Sequence, residues 1–409
     1  MMLMCWSDCL NCETRSAQIP LIFEPNKRNL RLMNYIWQHP DWPNFTYQTD
    51  GLSQQLYQYA LDAGRLSGGL EQLHQNDQYE TFIDLMVSEA LNSSLIEGEK
   101  LDREDVRSSI KNYLGLTHPP KRVADPRAEG IAALMVEIRN TFSKPLTKEA
   151  LFRWHQMVMS GHENRILGGK INVGKWRTSE EPMQIVSGPI GYEKVYFEAP
   201  PSSKVPDEMN AFIQWFNQTN PQVERTLSGP VRAAVAHLWF ETIHPFDDGN
   251  GRIGRALAEI ALAQDLGAPP LSSLSTAIEK NKNDYYDALH FASQPSLNIT
   301  EWVNWFVTTV KKSQDSTVES IQFILQKSRF WTSHSNTPIN DRQQKVLRKW
   351  FEAWHDGFEF GMSAKKYMSI AACSKATATR DLTELVKHEC IKRLPGKGKN
   401  IRYQLNLDK

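Results

Sequence analysis

The amino-acid sequence predicts a mainly α-helical protein with one short β-hairpin and a separate basic module towards its C-terminal end. Three observations carry that prediction. Apolar residues recur three and four apart in Phe82, Leu85, Met86, Ala90 and again in Val231, Ala234, Val235, Leu238, Trp239, which is the helix period. Strand-like segments are few. Charge divides unevenly along the 409 residues: of 47 Lys and Arg and 47 Asp and Glu, the stretch Asp341 to Lys409 holds 15 basic and 8 acidic residues, a net of +7 that leaves −7 for the remainder. A hydrophobic content of 40% suffices for a core in each of two or three domains.

Residues 1–32 carry no folded pattern and are expected to form a disordered leader or an upstream extension of the reading frame. Cys5, Cys9 and Cys12 crowd this stretch, but three thiols with no fourth ligand nearby make a poor zinc motif. With Cys373 and Cys390 near the other end, no disulfide framework is visible, and a reducing compartment fits. No run approaches the roughly 18 to 20 apolar residues of a spanning helix, and the start lacks the basic-then-apolar order of a secretory signal. A cytoplasmic protein with no membrane partner is the expectation.

Residues 33–117 then read as a helical N-terminal domain that opens on MNYIWQHPDWPNF, and residues 118–330 as a second helical domain. Within the latter, Gln184 to Phe197 (QIVSGPIGYEKVYF) reads as a hairpin with Gly188, Pro189 and Gly191 at its turn, closed off by Pro200 and Pro201. Ser333 to Asn340 (SHSNTPIN) is a polar linker, and residues 339–409 form the basic domain.

The chemistry concentrates in His244 to Arg255, HPFDDGNGRIGR. Its GNGRIG formally matches the dinucleotide pattern GxGxxG, which requires a strand before the first glycine and an acidic residue about 20 positions on. Both are missing: Pro230 to Thr242 (PVRAAVAHLWFET) has the helix period with Pro230 in the first turn, and Ala268 to Ser275 (APPLSSLS) offers no carboxylate. What remains is helix, loop, helix, the second helix running through Asn250 to Gln264. Its N-terminus exposes unpaired N–H groups, Gly249 and Gly251 allow close approach, and Arg252 and Arg255 add forked donors on one face: an anion site. A carboxylate beside it, Asp248, is explained by Mg²⁺, which takes one or two carboxylates plus the substrate's phosphates. His244 stands at the mouth as a base for an attacking hydroxyl, or simply as a capping histidine.

HPFDDGNGRIGR resembles the signature of the Fic family, HxFx(D/E)GNGRxxR, at every defined position. The resemblance extends to Gly174–Arg177 (GKWR), the hairpin, the PP pair and Tyr285, Tyr286 in NDYYDAL, and so covers about Pro120 to Trp305. MNYIWQHPDWPNF resembles an N-terminal domain of undefined function that precedes some bacterial Fic domains. The resemblance implies a Fic-type helical bundle with a β-hairpin flap, and transfer of AMP from ATP to a protein Ser, Thr or Tyr hydroxyl with release of pyrophosphate. It implies His244 as base and Asp248 as the Mg²⁺ ligand. Gly249, Asn250 and Gly251 would cradle phosphates, Arg252 and Arg255 would hold the outer ones, and Tyr285 and Tyr286 would border the nucleoside. Val186, Ser187 and Gly188 of the flap would adjoin the nucleotide, with the flap docking the target segment by strand pairing. Some relatives transfer other phosphate-linked groups or remove AMP. Ser293 stands where some have an adenine-contacting Asn, so base preference is left open. A homodimer is the default oligomer.

Two further stretches carry expectations. Ser93 to Gly98 (SSLIEG) resembles the family's inhibitory motif (S/T)xxxE(G/N), with Ser93 and Glu97 on one helical face. A glutamate at a helix end is disfavoured by the macrodipole unless a cation offsets it, and Arg255 is the expected partner; the alternative is an exposed surface glutamate. In the basic domain, helices over Arg342–Trp354, Ser363–Ile370 and Ser374–Lys387, the last capped by Ser374, precede a hairpin over Ile391–Leu405, an order that resembles a winged helix-turn-helix. Lys375, Thr377, Thr379 and Arg380 on the recognition helix and Lys397, Lys399 and Arg402 on or near the wing are the candidate contacts to DNA phosphates. Such modules also bind proteins, and both readings stand.

Overall fold

The computed structural model describes residues 34–162, 165–166, 169–187, 194–224, 226–352, 361–396 and 401–407. The leader, its cysteines and Met33 lie outside these residues, as do Gly188, Lys397, Lys399 and the side chains of Val186 and Ser187.

Helices dominate because their apolar stripes have neighbours to bury against. After a short 3₁₀ start at Ile36–Gln38, α1 (Ser53–Glu71), α2 (Gln75–Ile96) and α3 (Arg103–Tyr113) form the N-terminal region, followed by α4 (Pro126–Thr141) and α5 (Lys148–Val158). Asp102, Asp125 and Thr147 cap α3, α4 and α5, each side chain accepting first-turn N–H groups. Two-residue strands β1 (Arg165–Ile166) and β2 (Gly169–Lys170) and the hairpin β3 (Gln184–Ser187) with β4 (Lys194–Glu198) come next; both pairs are antiparallel. The β3–β4 register shifts between Ile185 and Val186, a bulge that bends the hairpin.

Helices α6 (Val205–Gln218), α7 (Gly229–Ile243), α8 (Asn250–Leu266), α9 (Leu274–Glu279), α10 (Lys282–Ala292) and α11 (Thr300–Ser333) complete the body. Every residue of α7 is buried, and α8 from Arg252 to Gln264 is buried as well. A helix with no solvent face is one that others wrap, and α7 packs against α6, α8 and α11. The packing of α7 on α8 fixes the loop between them, which holds the candidate site.

The sequence separates residues 33–117 from 118–330, yet the two share one hydrophobic core. Ile83, Met86, Val87, Ala90 and Ile96 of α2 belong to the same cluster as Leu238 and Phe240 of α7 and Ile253 and Leu257 of α8. The reason is geometric: α2 packs against α3, α4, α8 and α9, so its C-terminal end is delivered to the start of α8. At 34 residues α11 is roughly 50 Å long. Trp302, Val303, Phe306 and Val307 sit in the main core, while Phe330, near the other end, joins a second cluster.

That second cluster is the C-terminal region: α12 (Asp341–Glu352), α13 (Ala364–Ala371), α14 (Lys375–Lys387) and an antiparallel pair, β5 (Ile391–Arg393) and β6 (Tyr403–Leu405). Ser374 caps α14, accepting the Thr377 N–H at 3.2 Å.

Candidate active site

The α7–α8 loop is built from its own backbone outward. His244 ends α7 in the left-handed conformation (φ 49°), and Gly249 (φ 80°) opens α8 in the same region, where a glycine is favoured. Between them the Asn250 side chain closes the loop on itself: its Oδ1 accepts the Phe246 N–H at 3.0 Å and its Nδ2 donates to the Phe246 carbonyl at 2.9 Å. The first intrahelical bond of α8 is Ile253 N–H to the Gly249 carbonyl, so the N–H groups of Asn250, Gly251 and Arg252 are the helix's unpaired first-turn donors. These donors stand where the sequence analysis expects an anion.

Four residues that the sequence left without a role fix this loop, Arg177 and His155 from outside it and Asp247 and Ile253 from within the motif. Arg177 donates through Nε to the His244 carbonyl at 2.8 Å, through Nη2 to the Ile243 and Pro200 carbonyls, and its N–H bonds the Pro245 carbonyl. His155 stacks on Phe246 with centroids 4.1 Å apart, accepts the Gly174 N–H at Nδ1 and donates from Nε2 to the Asp248 carbonyl at 3.1 Å. Asp247 accepts the N–H and Nδ2–H of Asn172. Ile253 is fully buried in the core.

His244 is thereby presented with one free edge. Its Nδ1 lies 3.3 Å from the Glu241 carbonyl, which places the ring proton there and leaves Nε2 as an acceptor. Burial, with the nearby Arg177 charge adding to it, pushes its pKa down to about 4, so the ring is neutral at pH 7. Asp248 keeps its side chain half exposed and accepts the Gly249 N–H.

Both arginines of the signature are occupied. Arg255, 1% exposed, donates from Nε to Ser93 Oγ (3.0 Å), from Nη2 to the Ser93 carbonyl (2.8 Å) and from Nη2 to Glu97 Oε1 (2.8 Å). Burial alone would lower the Arg255 pKa, but Glu97 beside it outweighs this and raises it. Glu97 is the C-cap residue of α2 and lies against the first turn of α8, where a Cβ on Gly251 would run into its Oε1. Other α2 carbonyls are held too: Ile96 accepts from Tyr286 Oη at 3.0 Å and Leu95 from Lys282 Nζ at 3.4 Å. Arg255 is the cation that offsets the carboxylate at this helix C-terminus, and Lys282 meets one of its end carbonyls.

The second pairing has no counterpart in the sequence reading. Arg252 Nη1 donates to both oxygens of Glu99, at 2.9 and 3.0 Å, and His162 Nε2 donates to Glu99 Oε1 at 2.7 Å. His162 Nδ1 lies 3.2 Å from the Ser160 carbonyl, so both ring nitrogens face acceptors and the imidazolium form is favoured. Accordingly the Glu99 hydrogen bond raises the His162 pKa; for Glu99, burial opposes ionisation but His162 and Arg252 prevail and lower it. Glu99 directly follows the expected motif, and its partners are distant in sequence, so no local pattern marks it.

Of the two candidate nucleoside residues, Tyr286 is 42% exposed, while Tyr285 is 2% exposed and its hydroxyl is bonded to His237 Nε2 at 2.9 Å. Tyr285 faces the core, behind Tyr286. On α14, Lys375, Thr379 and Arg380 are exposed and line, with Ala376, Thr383 and Glu384, an open groove of about 740 Å³; Thr377 is half-buried and tied to Ser374. Arg402, half-buried, reaches the Ile401 carbonyl. Cys390 is buried and Cys373 partly so, and neither is in a disulfide. Among the described residues no helix is long and apolar enough to cross a membrane, and no group of three or more His, Cys, Asp or Glu could hold a metal ion by itself.

Comparison with known proteins places a family match over this loop. Residues 145–262 match the Fic/DOC family model, and residues 35–116 match a domain of unknown function, DUF4172. The chain is similar to a probable protein adenylyltransferase of Aquifex aeolicus, 29% identical over 120 residues, which are 28% of this chain and 34% of that one. It is similar also to the protein adenylyltransferase Fic of Nematostella vectensis, 24% identical over 206 residues, 49% of this chain and 42% of the relative. The matched stretches thus span less than half of these relatives' lengths. Among solved structures, a Fic family protein from Desulfovibrio desulfuricans G20 aligns at 20% identity with a TM-score of 0.48, over 87% of this chain and 96% of that one.

Proposed function

The chain carries a Fic/DOC domain, and from that premise we propose that it is an ATP-dependent protein adenylyltransferase held off by its own N-terminal helix. The observation that carries the reading is the engagement of both signature arginines, the charged forks at the start of α8, by carboxylates that follow α2. Carboxylates sit where phosphate oxygens would, so the polyphosphate and Glu97 compete for one anion site.

In the released state the N–H groups of Asn250, Gly251 and Arg252 cradle phosphates, and Arg252 and Arg255 take the outer ones. The Asn250 side chain is committed to the loop, so its contribution is through its backbone. Tyr286 borders the nucleoside, with Tyr285 supporting it from the core. Asp248 fits a divalent cation that draws its other ligands from phosphate oxygens and water; such a cation, when bound, neutralises charge on the phosphates. His244 Nε2 accepts the proton of the target's Ser, Thr or Tyr hydroxyl as that oxygen bonds to the α-phosphorus and pyrophosphate departs. Preorganised donors around the transferred group supply most of the rate in such chemistry. The exposed Ile185 and Val195 on the β3–β4 hairpin suit a flap that pairs with an extended target segment.

The test is incubation of the Glu97→Gly variant with ATP labelled at the α-phosphate and, separately, at the γ-phosphate, in the presence of lysate protein. Label from the α position and a protein mass increased by AMP support the proposal. Label from the γ position alone points to phosphorylation.

A second reading concerns the C-terminal region. The exposed Lys375, Thr379 and Arg380 on α14 and the net +7 charge of its sequence favour a winged helix-turn-helix that contacts DNA phosphates. A mobility shift at low salt that weakens steeply with added salt and with Lys375→Ala/Arg380→Ala supports it; no shift at low salt removes it.

A further inference from the structure

Beneath His244 lies a buried carboxyl that the reaction as written does not use. Glu241 is on the last turn of α7, three residues before His244 and on the same face. The left-handed turn at His244 swings the ring back over it, so Nδ1 faces the Glu241 carbonyl at 3.3 Å and Glu241 Oε2 at 3.8 Å. Its side chain is 7% exposed and its Oε1 has no hydrogen-bond partner. Among the described residues no cation is bonded to it. Arg255 points instead to Ser93 and Glu97. Gly254 of α8 makes the room, since a Cβ there would run into Glu241 Oε1.

A buried carboxyl without a hydrogen bond is a destabilising feature, and here it is aimed at the back of the candidate base. We propose that Glu241 is a positioning residue that holds His244 in its Nδ1–H tautomer and stabilises the imidazolium as the target's hydroxyl proton arrives at Nε2. The inference rests on the adenylyltransferase reading. Its step is balanced: the hydroxyl O–H bond breaks, the oxygen–α-phosphorus bond forms, pyrophosphate leaves with the electron pair of the broken phosphoanhydride bond, and the proton stays on His244. The role parallels that of a carboxylate behind a general-base histidine in hydrolytic triads.

The surroundings add a link to Glu97. Groups facing Glu241 are His237 and His244 from its own helix, Arg255 from α8, Tyr285 from α10 and Glu97 at the end of α2. Burial raises the Glu241 carboxyl to about 8, Glu97 adds to the rise and Arg255 opposes it. Withdrawal of Glu97 therefore frees the phosphate site and also lets Glu241 ionise at lower pH, which makes His244 a stronger base.

The test compares Glu97→Gly with Glu97→Gly/Glu241→Gln and Glu97→Gly/Glu241→Asp, following AMP transfer from pH 6 to 9. Alongside it, ¹⁵N signals of the His244 ring are followed in the otherwise unaltered chain and in Glu241→Gln, with assignment by His244→Ala. Expected are a loss in kcat of about tenfold or more in the Gln variant with KM for ATP unchanged, partial recovery in the Asp variant, and loss of the rise in rate with pH. The His244 ring signals shift as pH passes through about 8 in the parent and not in Glu241→Gln. If kcat, pH profile and ring signals are the same with and without the carboxyl, the inference is overturned. If Glu97→Gly transfers no AMP at all, the adenylyltransferase reading fails while the ring signals still decide the Glu241–His244 coupling.

Discussion

Arg252 and Arg255 stand three residues apart on one helix and are 2% and 1% exposed, yet their environments differ in kind. Arg255 lies in a bed of fixed groups: a hydroxyl, a carbonyl and Glu97, all from the last turn of α2. Arg252 meets Glu99 beyond the helix end, and Glu99 is shared with a histidine. The difference teaches that one short segment, Ser93 to Glu99, engages two anion-binding side chains by two physical routes. The first depends on helix geometry; the second shares its carboxylate with a histidine whose pKa that carboxylate raises.

The largest expected effect comes from Glu97→Gly, which removes a charge-assisted contact to Arg255 and clears the space over Gly251. AMP transfer rises at least about tenfold, since about 1.4 kcal/mol of lost competition is a factor of ten. An unchanged rate breaks the comparison, because Arg255 would then not be the controlling contact. Glu99→Gln keeps the shape but replaces a charged acceptor with a neutral one, and about fivefold activation is expected; additivity with Glu97→Gly, or its lack, reports whether the two contacts release together. Ser93→Ala removes only the hydroxyl from Arg255 and keeps the carbonyl and Glu97, so about twofold activation is expected.

The smallest effect separates the two routes by pH. His162 has a raised pKa in the folded chain, so the stability it contributes is fully present below about 6.5, its unfolded value, and is lost as pH rises through the raised folded value. The parent's Tm advantage over His162→Gln is therefore about 1–2 °C at pH 6 and shrinks as pH rises through the raised folded value. An advantage that stays constant across this range assigns His162 a packing role alone.

Much of the candidate site is legible in the sequence because its residues are contiguous. The alanine-rich period of Pro230 to Thr242 excludes a dinucleotide strand, and α7 then forms over Gly229–Ile243. Ser93 and Glu97 are readable as a pair because a helix sets them on one face, and both meet Arg255. What is not legible depends on long-range contact. Glu99 and His162 are 63 residues apart, Glu99 and Arg252 153, and Arg177 holds a carbonyl 67 residues away. Asp247 looks like a spare carboxylate until Asn172 is brought to it. The shared core of α2 with α7 and α8 is hidden for the same reason, since an apolar helix face does not name its partner.

The central claim is that the segment following α2 holds an adenylyltransferase site closed through Arg255. Its most direct measurement is AMP transfer from α-labelled ATP by four chains side by side: parent, Glu97→Gly, Glu97→Gly/Arg255→Ala and Glu97→Gly/His244→Ala. The account predicts little label with the parent, at least about tenfold more with Glu97→Gly, and a fall of about a hundredfold or more when His244 is also removed, with Arg255→Ala likewise abolishing the gain. Equal labelling by parent and Glu97→Gly, or labelling that survives loss of His244, contradicts it.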